Sequence, residues 1–248
     1  MRVLALLWFA LIGAYPFLTW AGSPLQLVGN RWEPYVMTSS VGNGVAADIV
    51  RIALERAGYK TTFSEEPWER VLYGIQHGSY DVVVNIWHSP ERERLGLFSK
   101  AFMPTRLRFI ALKTRNITFS TLEDLRPYRV AVVRGYVYTK EFDRDQTLNK
   151  VAVADFEQAL RMLLAGRVDL AIEEELVASR EIARTASAQA GLLQFLDKPL
   201  AEKGLYVLVA DHPEQEQIIS RFNTMVEHMK ADGTFADIFS RYELSWPP

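Results

Sequence analysis

The side chains able to do chemistry are tryptophans, arginines and carboxylates, and they recur just beyond short apolar runs. Trp32 follows Leu25–Val28; Asn85, Trp87 and Arg92 follow Val82–Val84; Arg134, Gly135 and Tyr136 follow Arg129–Val133; and Glu173, Glu174 and Glu175 follow Leu170–Ile172. In open α/β sheets, ligands bind beyond the carboxyl ends of the strands, so these positions form one candidate site if the runs are parallel strands. Indole and phenol faces stack small ligands, a guanidinium grips a carboxylate with two parallel hydrogen bonds, and a carboxylate pairs with a cation. The set contains no nucleophile–base pair, which favours capture over reaction. With no cysteine in the chain, thiolate metal sites, disulfides and lipid-modified cysteine anchors are excluded. His77, His88, His212 and His228 lack ligand spacing, so neither a metal site nor a cofactor is expected.

The elements that must position these residues show a repeat. Val71–Asn85 (VLYGIQHGSYDVVVN) and Ala159–Glu173 (ALRMLLAGRVDLAIE) each run amphipathic helix, glycine, two residues, aspartate, apolar strand. Gly78 and Gly166 fit left-handed helix stops. Ala46–Gly58, Phe156–Leu164 and Gln215–Met229 carry helical periodicity, Thr121–Leu125 opens with a helix-capping threonine, and Asp232-Gly233 breaks two C-terminal helices. Strands alternating with helices predict an α/β fold of largely parallel sheets, and the repeated unit suggests two lobes of similar build.

The 248 residues carry 28 basic and 30 acidic side chains, 49% hydrophobic and 23% charged residues, which is globular composition without a basic footprint for nucleic acid. Met1-Arg2 precedes Val3–Tyr15, a run without charged or amide side chains, and Thr19-Trp20-Ala21 offers a small-x-small exit. This reads as a signal peptide over residues 1–21, cleaved after Ala21, and predicts an exported, periplasmic chain.

Taken in order, Trp32-Glu33-Pro34-Tyr35, Gly44–Asp48, Gly78-x-x-Asp81, Ser89-Pro90-Glu91-Arg92, Phe98–Phe102, Val130–Gly135, Gly166-x-x-Asp169 and Asp232-Gly233-Thr234 resemble the periplasmic amino-acid-type solute-binding proteins, extracellular family 3. The resemblance implies a two-lobed, type II flytrap, with residues 24–103 plus 205–248 in lobe one and 104–204 in lobe two. It implies a monomer that captures an amino acid or related carboxylate and presents it to an inner-membrane ABC permease or to a sensor receptor. Carried over by motif, Arg92 clamps the ligand α-carboxylate, Glu174 holds the α-ammonium, and Trp32 is the aromatic platform. Three positions depart from the pattern. Gly135-Tyr136-Val137 replaces a Gly-Thr/Ser-Thr loop, Trp68 (followed by Arg70) replaces an aliphatic residue, and Trp87 stands where a small polar residue is common. Cyclohexadienyl dehydratases resemble the same family, and on that alternative Glu174 or Glu175 would be the general acid.

Overall fold

The computed structural model describes residues 23–246, so the proposed signal peptide lies outside the described residues. The first lobe opens with β1 (Leu25–Gly29), α1 (Val45–Arg56), β2 (Thr61–Glu65), α2 (Trp68–Gln76), β3 (Val82–Ile86) and β4 (Leu97–Phe98). β5 (Met103–Leu112) leads into β6 (Arg129–Val133), α3 (Lys140–Arg144), β7 (Asn149–Val153), α4 (Phe156–Leu164), β8 (Leu170–Glu174), α5 (Glu175–Thr185) and β9 (Leu193–Phe195). β10 (Ala201–Val209) then returns to α6 (Gln215–Ala231) and α7 (Thr234–Arg241). None of the described helices is long and apolar enough to cross a membrane.

The strands follow the order β2-β1-β3-β10-β5-β8-β6-β7. Each end is a parallel three-stranded unit of the same topology: β1 lies between β2 and β3, and β6 lies between β7 and β8. The long strands β5 and β10 join these units. The first part of β10 pairs antiparallel with β5 (Leu205 with Met103), its last part pairs with β3 (Val209 with Val82), and β5 continues along β8 (Leu107 with Glu174). The chain thus crosses between the two units at the paired residues 103–107 and 201–205.

The repeated units are the third strand of each parallel set, and their aspartates do the same work. Asp81 accepts from the backbone N–H of Gln26 (2.7 Å) and donates its own N–H to Gln26 carbonyl (2.9 Å), fastening β1. Asp169 accepts from the Arg129 N–H (2.9 Å) and donates to the Arg129 carbonyl (2.9 Å), fastening β6. Gly78 and Gly166 terminate the preceding helices at φ 71° and 67°, a backbone region that side chains with a Cβ disfavour. Asp169 also accepts from Arg129 Nε (3.0 Å) and Arg115 Nη2 (2.8 Å). Replacing Asp169 with alanine is therefore expected to cost about 1–3 kcal/mol through the unpaired strand N–H. Thermal melting should drop by roughly 3–10 °C at this chain length.

One core runs through both lobes, from Leu27 and Phe222 to Phe109, Phe142 and Ile172, and each lobe adds a smaller cluster of its own, around Val28, Val71 and Leu208 in the first. In the second lobe that smaller cluster comprises Ile110, Val153, Phe156, Leu160, Leu163 and Ala171. β3 (VVVNI) is buried along its whole length, as a parallel strand covered on both faces must be. The Thr121–Leu125 stretch forms a 3-10 turn instead of an α-helix. Thr121 and Asp124 close a capping box around only four residues before Pro127 limits extension.

Candidate ligand-binding cleft

The carboxyl ends of β1, β3, β6 and β8 converge between the lobes, because both three-stranded units direct those ends toward the crossing strands. Six side chains expected from sequence do not stand apart there. Trp32, Trp68, Asn85, Trp87, Arg92 and Tyr136 line one gap together with Asn30, and it has room for about one water molecule. Trp87 is the centre of the aromatic set, edge-on to Trp32 at 5.3 Å and to Tyr136 at 5.5 Å between ring centroids. Its Nε1 donates to Thr105 Oγ1 at 3.0 Å, which ties the cluster to β5.

Arg92 is the only buried residue of the 3-10 turn Pro90–Leu95 that follows β3. Its guanidinium donates to the carbonyls of Trp87 (2.7 Å) and Gly135 (2.9 Å) and lies 5.0 Å from the Trp68 ring centroid. Among the described residues no carboxylate comes within ion-pairing distance of it. Burial pushes its pKa down to about 10, outweighing the opposing influence of Tyr136, Asp143 and Glu91. The Gly135 carbonyl also accepts from Trp68 Nε1 (3.0 Å), and Gly135 itself stands at φ 76°. This glycine turn brings the second lobe's backbone against two side chains of the first. A Cβ there would meet the Trp68 ring at 3.3 Å.

Tyr136 lines three cavities at once. Its hydroxyl lies 3.4 Å from Asn30 Nδ2, and burial pushes its pKa up. On one side of it is a chamber of about 410 Å³ that shares Asn30, Trp32 and Trp68 with the gap. On the other is a cleft of about 920 Å³ between Ser89–Glu91 and the β6–α3 segment, edged by Arg134, Lys140, Arg144, Lys150 and Lys203. Lys203 donates to the carbonyls of Val137 (2.7 Å) and Tyr138 (2.6 Å), and its Nζ lies 5.0 Å from the Trp87 ring centroid. Burial lowers its pKa to about 8.

Three residues expected in the pocket are placed elsewhere. Glu174 ends β8 and caps α5: its carboxylate accepts from the N–H groups of Leu176 (2.8 Å), Val177 (3.0 Å) and Arg106 (3.3 Å), so it is engaged with backbone and lines neither the gap nor the chamber. Arg70 lies on the exposed side of α2 and pairs with Glu66 at 2.9 Å, because it stands two helical positions, about 200° of rotation, from Trp68. Arg134 is exposed and pairs across the lobes with Glu69 at 3.1 Å, at the edge of the large cleft and away from the gap. The alternative acid Glu175 is likewise committed, to Arg108 (2.5 Å) and Arg106 (3.2 Å).

The carboxyl that does reach the aromatic cluster is Glu173. Successive strand side chains point to opposite faces, so the residue before Glu174 turns toward Trp32. Glu173 is fully buried. Its Oε1 accepts from Trp32 Nε1 (3.1 Å) and from the Glu174 N–H (2.8 Å), while Oε2 has no partner. The strand-end rule included Glu173, but the motif position selected its neighbour. Asn30 was within reach of the same rule, in the turn leaving β1; Lys203, on a crossing strand, has no such signal.

Burial raises the pKa of Glu173 to about 8 and of Glu174 to about 7, from an ordinary value of 4.5. Between those values the folded chain keeps protons that the unfolded chain has released, so this contribution is full below about pH 4.5 and is lost as pH rises through 7 and 8. Melting of the ligand-free protein should therefore fall from pH 5 to pH 8, and Glu173→Gln should flatten a large part of that slope. Equal slopes in parent and variant would contradict a neutral buried carboxyl.

A two-lobed α/β fold whose crossing strands frame an aromatic cleft defines the periplasmic-binding-protein class. The sequence profile of the bacterial extracellular solute-binding proteins, family 3, matches residues 27–245, and the chain belongs to that family. The ABC transporter arginine-binding protein 1 of Escherichia coli (strain K12) is 20% identical over 201 residues, covering 80% of this chain and 81% of that protein. Among solved structures, a histidine kinase sensor domain with similarity to periplasmic binding proteins superposes with a TM-score of 0.78 at 20% identity, covering 91% of this chain and 99% of the other. An ancestral arginine-binding protein bound to arginine superposes with a TM-score of 0.75 at 20% identity, over 90% and 99% of the two chains.

Proposed function

We propose that the protein captures an amino acid or related small carboxylate between a lobe of residues 24–103 plus 205–248 and a lobe of residues 104–204, in the periplasm, for delivery to a membrane permease or receptor. The observation that supports this most is Arg92, a buried guanidinium at the lobe junction that is satisfied only by carbonyls. A buried cation without a direct ion pair is costly, and an arriving carboxylate would supply that pair with fork-shaped hydrogen bonds. Its partner carbonyl on Gly135 belongs to the other lobe, so a ligand at Arg92 would favour the closed arrangement by its differential contact with it. A catalytic reading is less well supported, since the acids it called for, Glu174 and Glu175, are taken by the α5 cap and by two arginines. The relatives named for ABC transport favour uptake, and the likeness to a kinase sensor domain keeps a receptor as the alternative partner.

Isothermal titration against a panel of amino acids and organic acids tests this reading. At least one α-amino acid is expected to bind with micromolar or tighter affinity; a panel without any binder, in a folded sample, would overturn it.

A further inference from the structure

The chamber beside the gap is lined mainly by acidic residues. Eight acidic side chains line it, Glu173 among them, beside the two guanidiniums of Arg31 and Arg184. Several of them are already paired: Glu33 with Arg31, Glu66 with Arg70, Glu69 with Arg134, and Glu157 and Glu181 with Arg184. Pairing cancels most of that charge, while Glu65, Asp155 and the second acid on Arg184 leave the lining net negative. Glu173 differs from them in kind. It sits at the inner wall, fully buried, and its Oε2 has no hydrogen-bond partner among the described residues. A buried acceptor without a donor is costly, and Glu173 belongs to the wall of the chamber, where a ligand donor could supply the missing bond.

The geometry also orients a ligand. Arg92 lines the gap, Glu173 lines the chamber, and Trp32 and Trp68 are walls of both. A molecule with its carboxylate at Arg92 would run past the Trp32 and Trp68 indoles before reaching the acid. The chamber volume of about 410 Å³ is ample for an extended side chain ending in a cation.

We propose that this acidic chamber receives a cationic end of the ligand, a guanidinium or primary amine, with Glu173 as the specificity-determining hydrogen-bond acceptor. The inference rests on the capture reading above and narrows it to ligands that carry an anion and a distal cation. Arrival of the cation would ionise Glu173, whose burial now favours the neutral form.

Isothermal titration of the full protein with L-arginine, L-lysine, L-glutamine and L-glutamate tests it. L-arginine or L-lysine should bind at least 10-fold tighter than L-glutamine and L-glutamate. In Glu173→Gln that preference should collapse by at least 10-fold, with L-glutamine affinity changed less than about 3-fold. Repeating the parent titrations at pH 6 and pH 8 in buffers of different ionisation enthalpy should show proton release with the cationic ligands, a readout independent of whether the variant folds. Preference for L-glutamine or L-glutamate in the parent overturns the cation assignment and leaves the capture reading standing. So does an equal loss for all ligands in a folded Glu173→Gln. Absence of binding by all four overturns this proposal, and the wider panel of amino and organic acids then decides the capture reading separately.

Discussion

Replacing Arg92 with methionine is expected to lower ligand affinity at least 100-fold while leaving the melting temperature of the ligand-free protein within about 5 °C of the parent. The two halves of this expectation have different causes. A charge-assisted, bidentate pair with a carboxylate in a water-poor site contributes several kcal/mol to binding once the cost of burying the cation has already been met in the free protein. Methionine fills much of the volume of the arginine stem and removes a buried cation whose burial is only partly offset by Asp143 and Glu91. Against that gain stand the two lost hydrogen bonds to Trp87 and Gly135 and the stacking on Trp68, so the net change in stability is small. Arg92→Lys should lose affinity nearly as far, because a single ammonium cannot reproduce the fork. Calorimetric titration beside a thermal melt separates the two effects. A variant that binds like the parent would remove Arg92 from the site.

The second large effect is on stability. Glu174→Ala leaves the N–H groups of Leu176, Val177 and Arg106 without their acceptor and exposes the start of α5 to fraying. Loss of a helix cap costs about 1–2 kcal/mol, and the partly buried Arg106 N–H adds up to a comparable amount. A total near 2–4 kcal/mol lowers melting by roughly 5–15 °C at this length. Glu174→Gln keeps one acceptor oxygen and should recover much of that loss. In neither variant should ligand affinity change by more than a few-fold once the protein is folded, whereas a ligand-holding Glu174 would show the reverse pattern.

How far the site was legible in sequence depends on which physical rule carried each residue. The Gly-x-x-Asp units announced their equivalence, since a helix stop and a strand-fastening aspartate are local requirements, and β6 and α4 have the limits their apolar patterns predict. The gathering of Trp32, Trp87, Arg92 and Tyr136 follows from the strand-end rule alone. What local pattern does not encode is the direction of a side chain at a strand end. β8 runs two residues beyond its apolar stretch, so Glu173 and Glu174 alternate, one into the cleft and one onto the helix cap. Arg70 obeys the same logic on a helix: its neighbour Trp68 faces inward, and helical rotation carries Arg70 out to Glu66. Arg134 depended on a partner from the other lobe, Glu69, which no spacing in either segment reveals.

The most direct measurement is a thermodynamic cycle over Arg92 and the ligand carboxylate, using L-arginine and agmatine, its decarboxylated counterpart, with the parent and Arg92→Met. If the guanidinium grips that carboxylate, agmatine should bind the parent at least 100-fold more weakly than L-arginine, and the substitution should weaken agmatine by less than 5-fold. Independent losses that multiply in the doubly altered pair would contradict the account.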